Sequence, residues 1–145
     1  MAQLSVMLQG RFHIAFATED LKRMKAFYGA LLGCDEGRST EKWVDYDFFG
    51  HQLTIQQVPR VKRAERTYNP QSHVPSDHFG IVLEWDDWHR MRDKLKKIGV
   101  RFLVEPQLVM QGQVGEQMSM LIEDPDGHAI EFKSFERATD LFRRS

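Results

Sequence analysis

The sequence predicts an α+β fold of two tandem βαβββ modules, and three observations carry that prediction. A strand-then-helix pattern occurs twice along the 145 residues. Both predicted helices carry an apolar stripe at three- and four-residue spacing. Both copies then run into a hairpin marked by the same Gly-His step, Gly50-His51 and Gly127-His128.

The first copy opens with Phe12-His-Ile-Ala-Phe-Ala-Thr-Glu-Asp-Leu21, read as a strand. The helix that follows has Leu21, Met24, Phe27 and Leu31 on one face. The second copy opens with Asp77-His-Phe-Gly-Ile-Val-Leu-Glu-Trp-Asp86, and its helix carries Trp88, Met91, Leu95 and Ile98. Acidic residues stand at both helix starts (Glu19-Asp20, Asp86-Asp87), where carboxylates accept from free amides and face the positive dipole end. Gly33 and Gly99 stand where left-handed caps close helices. Strand-like segments 43–55 and 118–132 complete the copies, and Asp124-Pro-Asp-Gly127 is a turn in which proline fixes φ and glycine accepts a positive one. The chain is therefore expected to be a single domain over 1–145. Its parts are a first module at about 10–58, a linker at 59–75, a second module at about 76–135 and a closing tail at 136–145.

Composition narrows the function classes. Hydrophobic residues make up 41% and charged residues 28%, and the net charge is −1, so neither nucleic acid nor an anionic membrane is an expected partner. A small-molecule substrate is. The one cysteine, Cys34, cannot form an internal disulfide, which fits a reducing compartment. The start MAQLSVMLQGRF lacks a secretory pattern, and the expected location is the cytoplasm.

Strand alternation locates the candidate chemistry. Phe12, Ile14 and Phe16 share the face expected to meet the helix, and His13 lies on the other with Ala15 and Ala17. Phe79, Ile81 and Leu83 repeat this arrangement, with His78 beside Gly80 and Val82. Ile130 and Phe132 oppose Glu131. Each polar residue has a small neighbour two positions away on its own face, an arrangement that leaves room for a cavity. Two imidazoles and a carboxylate converging there are a ligand set for a borderline divalent metal with open positions. Singly, each has a blander reading: a histidine bonded to a neighbour, a surface glutamate. Their equivalent places in a repeat favour the metal set of His13, His78 and Glu131.

Secondary candidates for substrate contact are Tyr46 and Phe48, which alternate with Asp45 and Asp47, and Thr54, Gln56, Gln117 and Lys133. Lys133 shares the face of Glu131, either to pair with it or to attract an anion. His51 and His128 follow turn glycines and are read as turn residues, Arg60, Lys62, Arg63 and Arg66 as a solvated loop, and Trp85 and Trp88 as packing between helix and sheet.

The stretches FHIAFATEDLKRMKAFYGALLG, DHFGIVLEWDD and above all IEDPDGHAIEFKSF resemble the vicinal oxygen chelate superfamily, which includes glyoxalase I, extradiol dioxygenases, fosfomycin-resistance transferases and bleomycin-resistance proteins. The resemblance covers about residues 10–135. It implies curved mixed sheets around a metal cavity, with the metal held by His13, His78 and Glu131; candidate bases are Glu131 while coordinated, or His51 and His128 if they reach the pocket. It also implies one divalent ion (Fe, Mn, Zn, Ni or Co), a substrate chelated through two adjacent oxygens, and a homodimer.

Thr54 stands where glyoxalase I and the related epimerases carry a fourth ligand. The three-ligand set resembles that of extradiol dioxygenases, yet Met118–Glu123 lacks the tyrosine those enzymes use there. Ala15 stands where fosfomycin enzymes carry threonine. The resemblance therefore implies a metal-dependent enzyme with the dioxygenase-like class ahead. The alternatives are a glyoxalase-type lyase or isomerase, and a metal-free binding protein like the bleomycin-resistance group.

Overall fold

In the computed structural model, which describes residues 9–145, each copy of the repeat forms a four-stranded mixed sheet with one helix. The chain divides into two compact units, Met1–Arg63 and Ala64–Ser145.

Unit 1 contains β1 (His13–Thr18), helix α1 beginning at Leu21–Lys25, β2 (Asp35–Ser39), β3 (Trp43–Phe48) and β4 (His51–Gln57), with sheet order β1-β4-β3-β2. β1 runs parallel to β4, as a crossover through a helix requires, and the other pairings are antiparallel. Asp20 caps α1, its Oδ1 accepting from the Arg23 amide at 3.0 Å. Beyond Lys25 the helix widens into π-helical geometry over Ala26–Leu31, with the Leu32 amide donating to the Phe27 carbonyl at 2.9 Å. The wider turn adds a residue to the face repeat, so Tyr28 and Leu32 are buried and the expected Leu31 is only half-buried. Gly29 lies beneath the Tyr46 ring, where a Cβ would stand 3.2 Å from the hydroxyl. The core is Leu21, Met24, Phe27, Tyr28, Val44, Tyr46, Phe48, Leu53 and Ile55. Phe12, expected on the helix face, is 59% exposed because it precedes the outer strand β1.

Unit 2 contains β5 (Phe79–Val82), α2 (Trp85–Ile98), β6 (Phe102–Val109), β7 (Gln117–Glu123) and β8 (Ala129–Ser134), with sheet order β5-β8-β7-β6. The register again sets β5 parallel to β8, which places Gly80 beside Glu131. Trp88 and Leu95 are fully buried, and the Trp88 indole donates to the Phe132 carbonyl at 2.7 Å. Ile98, expected to extend this stripe, is 48% exposed in the last helical turn. Gly99 closes α2 with φ +82°, the left-handed cap read from the sequence. Asp124 organises the β7–β8 turn, its side chain accepting from the Asp126 and His128 amides and lying 2.7 Å from the His128 ring. The tail carries a short 3₁₀ turn, Ala138–Phe142.

The unit boundary falls inside 59–75, and that segment is held at both ends. Arg63 donates to the Ala17 carbonyl at 2.9 Å in unit 1. Arg66 pairs with Glu123 at 2.7 Å in unit 2. Among the described residues no helix is long and apolar enough to cross a membrane.

Candidate functional site

The register of unit 2 brings His78 and Glu131 together. His78 immediately precedes β5, Glu131 lies in β8, and the side chains meet with His78 Nε2 3.0 Å from Glu131 Oε2. Both are partly solvent-accessible, at 32% and 17% of the side chain. They line a surface pocket with Gly80, Val82 and Lys133. The glycine is required there for a backbone reason. A Cβ on Gly80 would overlap the Glu131 carbonyl oxygen, so the small residue is what lets the two strands approach.

The partners of each group define its chemistry. His78 Nδ1 lies 2.8 Å from the Pro75 carbonyl oxygen. A carbonyl only accepts, so Nδ1 carries a proton, and in its neutral form the ring presents its lone pair at Nε2. Ser119 Oγ, on the buried part of β7, donates to Glu131 Oε1 at 2.8 Å. That leaves Oε2 as the carboxylate atom turned toward the histidine. Two acceptors 3.0 Å apart repel unless a positive charge stands between them, either a proton on the imidazole or a cation.

This donor set fits a divalent metal. Two donors, each about 2.1 Å from one ion and at right angles to it, stand about 3 Å apart. Outer-shell bonds from a carbonyl to the imidazole and from a hydroxyl to the carboxylate are those that orient metal ligands. Among the described residues no group of three or more His, Cys, Asp or Glu side chains stands ready to hold an ion.

The remaining sequence candidates separate by face. In unit 1, His13 is exposed on β1, with Gln52 as its neighbour on β4. Thr54 lies opposite Asp45 and donates to Asp45 Oδ1 at 2.7 Å. Asp45 is 8% exposed and also receives Gln52 and Arg38, each at 3.4 Å. Tyr46 and Phe48, considered for substrate contact, belong to the core under α1, at 2% and 4% exposure. Burial pushes the Tyr46 phenol up to about 12, with the Glu36 charge adding to the effect. Alternation offers two faces, and helix packing assigns this pair to the inner one. Gln56 is exposed. In unit 2, Gln117 donates to the Gly115 carbonyl at 3.0 Å, and its buried Oε1 has no partner among the described residues. The sequence reading missed Ser119 and Asp45. The period-two pattern puts Ser119 on the face of Glu131, but nothing in the run MSMLIE marks it otherwise.

The sequence matches the family described as the Glyoxalase/Bleomycin resistance protein/Dioxygenase superfamily over residues 10–132. Among solved structures, the fold is similar to a glyoxalase/bleomycin resistance protein/dioxygenase from Alicyclobacillus acidocaldarius. The TM-score is 0.77 at 25% identity, over 92% of this chain and 96% of that one. It is also similar to the genomically encoded fosfomycin resistance protein FosX from Listeria monocytogenes, with TM-score 0.64 at 22% identity over 92% and 98%. A third likeness is to lactoylglutathione lyase from Agrobacterium tumefaciens, with TM-score 0.62 at 16% identity over 89% and 96%. The last two establish likeness of fold. With a family match across most of its length and the same paired βαβββ architecture, this chain belongs to the Glyoxalase/Bleomycin resistance protein/Dioxygenase superfamily.

Proposed function

We propose that the protein is a divalent-metal-dependent enzyme acting on a small substrate chelated through two adjacent oxygens, with His78, Glu131 and His13 as the protein ligands. The observation that carries this reading is the facing of His78 Nε2 and Glu131 Oε2 at 3.0 Å, each side chain fixed from behind by its own hydrogen bond. The chemistry a divalent ion supplies, when bound, is polarisation of substrate oxygens as a Lewis acid. The chain's own residues do the positioning. Pro75 holds the imidazole with Nε2 outward, and Ser119 holds the carboxylate with Oε2 forward. The hydrogen bond of Thr54 to Asp45 supports a three-ligand set, because it engages the hydroxyl at the position of a fourth ligand.

Two histidines and one carboxylate favour the dioxygenase-like class, in which open positions take substrate and dioxygen. The single cysteine supports a cytoplasmic location. A homodimer, as the family resemblance implies, is part of this reading, and sedimentation equilibrium would test it. Metal content of untagged protein, compared with His13→Ala, His78→Ala and Glu131→Gln, tests the ligand set. Near-stoichiometric metal in the native chain and loss in each variant is the expected result. Metal-free native protein after incubation with Fe, Mn, Zn, Ni or Co would overturn the reading. Oxygen uptake with Fe(II) and catechols tests the class, and its absence would move the assignment to lyase or isomerase chemistry.

A further inference from the structure

Lys133 was open to two roles on sequence grounds, pairing with Glu131 or attracting an anion. The first is not seen among the described residues, where Glu131 Oε1 accepts from Ser119 and Oε2 faces His78 Nε2. Among the described residues Lys133 makes no ion pair, although it is half-buried and lines the same pocket as His78 and Glu131. Its strand neighbours are Val82 on β5 and Ser119 on β7, neither of them charged. Residues two apart on a strand stand about 7 Å from each other on one face. The flexible lysine stem covers much of that span. The pocket thus has a chelating end at His78 and Glu131 and a cationic end at Lys133, with Gly80 beside Glu131 and the apolar Val82 beside Lys133.

We propose that the substrate is an anion: a compact molecule with two adjacent chelating oxygens and, a few bonds away, a carboxylate or similar oxyanion that Lys133 receives. An ammonium that pairs with no carboxylate of its own sheet, beside an apolar floor, selects ligands that bring the missing negative charge and disfavours neutral ones. This rests on the metal reading above, and the test separates the two.

Catechol and protocatechuate share the chelating pair and differ by one ring carboxylate, so their dissociation constants on the Co(II)-loaded protein isolate the effect of charge. Lys133→Met is expected to weaken protocatechuate about tenfold more than catechol. Lys133→Arg is expected to restore the preference, and added salt to shrink it. Equal protocatechuate affinity in the native chain and Lys133→Met would overturn the anion assignment while leaving the metal site standing. Failure of the native chain to take up Co(II) would overturn both. Co(II) affinity measured in each variant shows whether the substitution has disturbed the pocket itself.

Discussion

Replacing Ser119 by alanine tests whether the carboxylate of Glu131 is held for a purpose. Ser119 is 5% exposed, and its hydroxyl donates to Glu131 Oε1 at 2.8 Å. Without it, Oε1 loses its partner and the carboxylate is free to rotate, so that Oε2 no longer faces His78 by default. Loss of an outer-shell partner lowers metal affinity by about 10- to 100-fold, equivalent to about 1.4–2.8 kcal/mol. The assay is calorimetric titration of metal-free protein with Zn(II) and Co(II), accompanied by the Co(II) absorption spectrum, which reports coordination geometry. Ser119→Ala is expected to lose affinity within that range and to change the spectrum. Ser119→Thr keeps the hydroxyl and should recover both. Equal metal affinity in the native protein and Ser119→Ala, with an unchanged spectrum, would refute the orienting role and reduce the hydrogen bond to ordinary sheet packing.

Three further outcomes follow from the fold. Gly80→Ala forces a methyl group into the Glu131 main chain and should destabilise the protein by about 3 kcal/mol, measured by denaturant unfolding. Trp88→Phe leaves the buried Phe132 carbonyl without its indole donor and opens space in the core, at a cost of about 2 kcal/mol read from the same transition. Tyr46 has a folded pKa of about 12 against an ordinary 10.0, so its contribution to stability is complete below the unfolded value. Above that value the unfolded chain sheds the proton first, and stability should fall as pH rises toward about 12. Ultraviolet titration of the phenols should lose a late-ionising component in Tyr46→Phe.

Much of this architecture was legible because its signals are periodic and repeated. The two strand-helix openings, the capping glycine Gly99 and the Asp124–Gly127 turn each have a local physical cause that a sequence displays directly. What was not legible depends on contacts between distant segments. Alternation separates Tyr46 from Asp45 but cannot say which one the helix covers, and it was the packing of Tyr28 and Gly29 that buried the tyrosine. The π-helical widening after Lys25 moved the buried face by one residue, from Leu31 to Leu32. At the site, His78 and Glu131 could be named from their places in the repeat. The groups that hold them, the Pro75 carbonyl and the Ser119 hydroxyl, are visible only once β5, β7 and β8 are in register.

The close approach of Gly80 to Glu131 also bears on which ions the pair can accept. The strands carrying or flanking the two groups are clamped main chain to main chain, so the opening between Nε2 and Oε2 widens only by side-chain rotation against the Pro75 and Ser119 bonds. Small transition-metal ions suit such a jaw. Calcium, with its six to eight oxygen ligands at about 2.3–2.6 Å, demands a broader and softer cradle. Ionic radius is therefore expected to exclude calcium, and the imidazole donor to disfavour magnesium, even at millimolar excess.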